Sequence, residues 1–134
     1  MEYGDQTIQG QAAVLPASKS ISSGRTLSDV DGDVSYTGFG FKPSSVIGYG
    51  LISQNRCANL IGWACQDLTT GCLFDDPSVA GRYNNTNLFM RANTSIGVAA
   101  SAHVSSFDTD GFTITWSKTG SPTGIFALDF IAFK

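Results

Sequence analysis

The end of the chain constrains the fold most. Residues Gly111-Phe112-Thr113-Ile114-Thr115-Trp116-Ser117 alternate between apolar and polar. Successive side chains on a strand point to opposite faces, so Phe112, Ile114 and Trp116 share one face and Thr113, Thr115 and Ser117 the other. Gly120-Ser121-Pro122-Thr123-Gly124 reads as a turn. Ile125 to Lys134 reads as a returning strand, apolar on both faces. The two strands predict a β-hairpin that runs to the last residue. A strand apolar on both faces needs cover on both, from a facing sheet and from something else, such as another subunit.

The rest of the chain is punctuated in the same way. Val34–Phe39, Ser45–Ile52, Asn59–Cys65, Gly71–Phe74, Leu88–Met90 and Ser95–Val104 read as strands, separated by Gly, Asp, Asn and Pro. Asn84-Asn85-Thr86-Asn87 reads as a polar loop. No window of helical length joins good helix formers to helical spacing. The expected fold is all-β, an antiparallel sandwich of jelly-roll type with eight to ten short strands. Residues 1–24 are Ser-rich toward their end and are expected to form a flexible amino-terminal arm with at most a weak strand. Residues 25–134 are expected to form the single sandwich domain.

Composition narrows the function. Of 134 residues only 14% are charged, against about 25% in an ordinary soluble domain. Such a surface belongs either to an ordinary all-β domain or to one largely covered by partners, since interface cores are poor in charge. Net charge is −3 and the eight basic residues are scattered, which argues against a nucleic-acid partner. No apolar run approaches the roughly 18 residues that span a bilayer, and no membrane partner is expected. Met1-Glu2-Tyr3-Gly4-Asp5-Gln6 lacks the basic and apolar parts of a signal peptide, so synthesis in a cytoplasm is expected.

Residues able to carry chemistry form no recognised constellation. Cys57, Cys65 and Cys72 lie eight and seven apart and match no Cys-x-x-Cys pattern. With His103 the only histidine, a zinc site is disfavoured and free, metal-free thiols are expected. Cys65 and Cys72 flank a turn and are positioned to face each other across a hairpin, although a reducing compartment opposes a bond. Asp29, Asp31 and Asp33 begin like a calcium loop, but Val34 and Gly40 stand where that loop needs glycine and glutamate. Asp75, Asp76, Asp108 and Asp110 read as turn residues, and no pair of them is marked as an acid and base. Gly38-Phe39-Gly40-Phe41 lacks the following Lys and Ser or Thr of a phosphate loop. No serine near His103 sits in a nucleophile elbow. Asn84-Asn85-Thr86 and Asn93-Thr94-Ser95 are formal glycosylation acceptors without an export signal. Tyr36, Trp63 and Tyr83, near Asn and Asp loops, are the aromatics a sugar site would use, whereas Trp63 and Trp116 equally suit a core. No catalytic, cofactor-binding or metal-binding residues are assigned, and no enzyme activity is expected.

Two segments, Tyr36-Thr37-Gly38-Phe39-Gly40-Phe41-Lys42-Pro43-Ser44-Ser45-Val46-Ile47 and Ser105-Ser106-Phe107-Asp108-Thr109-Asp110-Gly111-Phe112-Thr113-Ile114-Thr115-Trp116, are similar to a group of small bacteriophage virion proteins. Thr119–Gly124 and the closing apolar strand fit that resemblance as well. It implies a β-sandwich with a structural role in the head or tail, and no catalytic residues to carry over. Size, and the absence of heptads, collagen-like triplets or repeats, favour a capsid cement (decoration) protein. The expected partners are the major capsid protein and further copies of the chain in a homotrimer, on the outer surface of the phage head. The alternative is a tail or fibre module that recognises a host surface glycan.

Overall fold

The computed structural model describes residues 17–52, 59–76, 81–85 and 87–134, with backbone alone at 59, 74–76 and 81–85. Ten strands follow one another: β1 (Ser18–Thr26), β2 (Gly32–Thr37), β3 (Ser45–Ile52), β4 (Asn59–Cys65), β5 (Thr70–Asp76), β6 (Gly81–Asn85), β7 (Met90–Ser95), β8 (Val98–Asp108), β9 (Gly111–Thr119) and β10 (Ile125–Phe133). They form two antiparallel sheets. Sheet A has the order β1-β10-β3-β4-β5-β6 and sheet B the order β2-β9-β8-β7. The fold is the expected all-β sandwich. Its first and last strands lie side by side in both sheets, as in a jelly roll, while β3 to β6 and β7 to β9 are simple meanders.

The ending is not a hairpin. β9 belongs to sheet B and β10 to sheet A, so Gly120–Gly124 carries the chain from one sheet to the other. β10 instead pairs with β1 on one side and β3 on the other. The inward alternation predicted for β9 holds, with Phe112, Ile114 and Trp116 all buried. Residues 18–24, expected in the arm, pair along β10 and belong to the sandwich; residues 1–16 lie outside the described residues. The segment Ser95–Val104 is broken by a turn at Ile96-Gly97, where Gly97 takes a φ of +70°. Asn84 and Asn85, read as loop, close β6.

One core fills the space between the sheets. Sheet B supplies Tyr36, Phe112, Ile114, Trp116, Val104 and Met90, and sheet A supplies Val46, Leu60, Phe126, Leu128 and Phe130. Phe112 meets Phe130 edge to face with centroids 5.2 Å apart, and Tyr36 meets the same Phe130 at 4.7 Å. Arg25 is buried where the chain crosses between sheets. Its guanidinium lies 4.8 Å above the Trp116 ring and donates to the Val30 carbonyl at 2.9 Å. A buried cation is stabilised there by an aromatic face and by carbonyl acceptors together.

The inner surface of sheet A is glycine at its centre. Gly48 and Gly62 are register partners on β3 and β4. A Cβ on Gly48 would meet the Met90 methyl and the Phe89 ring, and one on Gly62 would overlap the Phe89 carbonyl oxygen. A Cβ on Gly50 would meet the Phe126 ring. Large side chains from neighbouring elements therefore occupy the volume that β3 and β4 leave open.

At one end, Asp110 holds the loop after β2 by accepting from the backbone N–H groups of Gly40 and of Gly38, the latter at 2.9 Å. These bonds keep its carboxyl below the ordinary value of 3.8. A lowered carboxyl contributes stability above the unfolded value and loses it as pH falls through the folded one. The melting temperature of Asp110→Asn should therefore lie below that of the wild type at neutral pH, with the gap closing as pH drops under 3.8. Chemical denaturation should separate two glycines as sharply. Gly62→Ala forces a shift of backbone and should cost about 3 kcal/mol. Gly97→Ala has open space around it and should cost about 1 kcal/mol for its left-handed φ alone.

Candidate functional site

The two outer faces of the sandwich differ in chemistry. The outer face of sheet B is polar and knitted across its strands. Ser35 and Thr113 share a hydrogen bond of 2.9 Å, Thr113 donates to Asp108 at 2.7 Å, and Thr115 donates to Asp33. His103 stands exposed on this face beside Thr115. Among the described residues no group of three or more His, Cys, Asp or Glu is placed to hold a metal ion. Asp31 accepts from the Lys118 N–H and Asp33 from Thr115, so these two carboxylates of the acidic triplet tie β2 and the turn before it to β9.

The outer face of sheet A is apolar. Alternation sends Gly48, Gly50, Gly62 and Ala64 inward, so the large residues between them point outward. Antiparallel register then aligns them in rows. One row runs Ser20, Ile131, Ile47, Trp63, Gly71 across β1, β10, β3, β4 and β5. The next runs Ser22, Asp129, Tyr49, Ile61, Leu73. Ile47, Tyr49, Ile61, Trp63 and Ile131 are 38%, 46%, 44%, 40% and 44% exposed. Trp63 lies over Gly71, where a Cβ would collide with its indole ring. One face of the indole is thus seated on the sheet and the other faces solvent. Among the residues whose side chains are described, Asp129 is the one charged group on this face, and it accepts from Ser22 Oγ.

β10 is covered on one face only: Phe126, Leu128, Phe130 and Ala132 are buried, while Ile125, Ala127, Asp129 and Ile131 are exposed. Trp116 fills the core at 2% exposure, as one reading had it, but Trp63 does not. Tyr36, the companion of Trp63 in the sugar reading, is buried, and burial pushes its hydroxyl above the usual value. The Tyr83 side chain lies outside the described residues. Cys65 and Cys72 do not face each other. Cys65 pairs with Ser45 on the outward row, whereas Cys72 pairs with Gly62 on the inward one. Both are free thiols, and Cys57 lies outside the described residues.

The outward apolar rows escaped the sequence reading because Ser45–Ile52 looked continuously buried. The available signal was the pattern Gly48-Tyr49-Gly50 and Ile61-Gly62-Trp63, in which small and large residues alternate with the strand period. A comparison with family models, with curated proteins and with solved structures found no match.

Burial raises the Cys72 thiol to about 11, with Arg91 opposing the rise only in part. Thiolate is the reactive form. Iodoacetamide at mildly alkaline pH should therefore label half-buried Cys65 in the folded protein and leave Cys72 unmodified until denaturant is added. Peptide mapping distinguishes the two, and equal labelling of both in the native state would contradict the placement of Cys72.

Proposed function

We propose that this protein is a structural subunit of a virus particle, a cement protein that stabilises a bacteriophage head from its outer surface. The observation that carries a structural role is the contrast between the outer faces. Sheet B presents hydroxyls bonded to one another and to carboxylates, and sheet A presents five large, partly exposed apolar residues with one carboxylate among the described side chains. Apolar patches of this extent on soluble domains are usually contact surfaces, and charge depletion marks the core of such contacts. The phage head enters through the resemblance of residues 36–47 and 105–116 to phage virion proteins. The major capsid protein is the partner in this reading. Copies of the chain linked to one another then hold many lattice sites at once, which converts modest affinity into retention.

A second reading has its own observation. The exposed indole face of Trp63 is a flat platform of the kind on which a sugar ring stacks, which suits a receptor-binding module for a host glycan. The neighbours Ile47, Ile61 and Ile131 offer such a sugar no hydrogen bonds, and for this reason the structural reading is preferred.

Quantitative mass spectrometry of purified particles tests the preferred reading. A cement protein should be present at hundreds of copies per particle. A few dozen copies or fewer would assign it to the tail and favour the glycan reading, and absence from particles would overturn both.

A further inference from the structure

We infer that the outer face of sheet A is covered by the same face of a second copy of this chain, in a two-fold dimer of sandwiches packed sheet to sheet. The inference rests on the structural reading above and names the occupant of the contact.

The geometry suits self-pairing. A sheet face whose side chains stand in regular rows can pack on its own copy, with the two sheets about 10 Å apart and their strands within about 30°. The available area is sufficient. Five strands at about 4.8 Å each and eight residues at about 3.3 Å each make a face of roughly 600 Å2 per copy. A specific interface needs about 500 Å2 per partner, and a standard one buries about 800 Å2.

The layout also matches interface anatomy. The apolar side chains concentrate on β10, β3 and β4, in the middle of the sheet, with Trp63 and Tyr49 among them. Aromatic anchors near the centre carry most of the energy of such contacts. On the β1 side the rows end in Ser18, Ser20 and Ser22, a polar rim. Asp129, the one carboxylate among the described side chains of this face, lies on β10 toward that rim and keeps its bond to Ser22.

The alternatives fit less well. A closed ring of three, the sequence expectation, joins two different patches on each copy. The other large exposed apolar residues among those described are Val30, Leu68 and Ile96 in connecting loops and Ile125 at the start of β10, and none of them forms a second row. A glycan would leave three isoleucines with no polar partner to offer.

Sedimentation velocity on the full-length chain over a range of concentrations tests the inference. The wild type should reach twice the 14.1 kDa of the monomer in the micromolar range. Ile47→Lys and, independently, Ile131→Lys each place a charge in the middle of the contact and should weaken dimerisation at least about tenfold. Both positions are exposed in the monomer, so far-ultraviolet circular dichroism should be unchanged. Ser117→Lys, on the outer face of sheet B, should leave the dimer intact. A wild type that stays monomeric throughout the range overturns the inference, whether or not it then binds capsids or a glycan, and so does a mass three times that of the monomer. Loss of the dimer in Ser117→Lys alone would place the contact on the wrong sheet. Particle copy number tests the cement reading separately, since a monomeric subunit can still be abundant on a head.

Discussion

The close approach of Phe89 to the backbone of β4 sets the rest of the structure. Phe89 enters just before β7 and lies so near Gly62 that no Cβ fits between them. Gly48 and Gly50 on the adjoining strand make the same allowance for Phe89, Met90 and Phe126. Interiors are packed to near crystalline density, so the volume surrendered by these glycines is taken by side chains from other elements. The centre of sheet A contributes backbone to the core, and aromatic rings supply the bulk.

The strand period turns this into a surface property. Where the inward positions of β3 and β4 are glycine or alanine, at Gly48, Gly50, Gly62 and Ala64, the flanking Ile47, Tyr49, Ile61 and Trp63 point outward, and β10 adds Ile131 to the row of Ile47 and Trp63. Sheet B shows the reverse arrangement, with Phe112, Ile114 and Trp116 inward and Thr113, Thr115 and Ser117 outward. The sandwich therefore has one polar side and one apolar side. Low charge across the whole sequence is consistent with that division, because the face that would ordinarily carry Lys and Glu in sheet A carries Ile, Tyr and Trp.

Much of the fold was legible in the chain. The β9 alternation gave its buried face directly, and Gly and Asp marked the turns at 109–111 and 120–124. Partnership was not legible. A turn rich in Gly and Pro joins strands equally well within a sheet or between sheets, so β9 and β10 read as a hairpin in sequence although they lie in different layers. Ser18–Gly24 reads as the end of an arm because Ser-rich chain has little local strand signal; its pairing with β10 supplies the order that its composition does not. The apolar face shows in the sequence as glycines alternating with large residues inside apolar runs, a pattern that does not say which side is covered. Deciding that Tyr49, Ile61 and Trp63 face outward required knowing that Phe89, Met90 and Phe126 fill the glycine side, a contact between residues distant in sequence.

Hydroxyl-radical footprinting at low and high protein concentration tests most directly whether this apolar side is a contact surface. In dilute solution Trp63 and Tyr49 should be oxidised readily while Trp116 and Tyr36 stay protected. On concentration, protection should spread to Trp63 and Tyr49 and leave His103 on the opposite face reactive. Trp63 as protected as Trp116 in dilute solution would contradict the placement of the apolar face, and unchanged oxidation of Trp63 on concentration would contradict its use as a contact between copies.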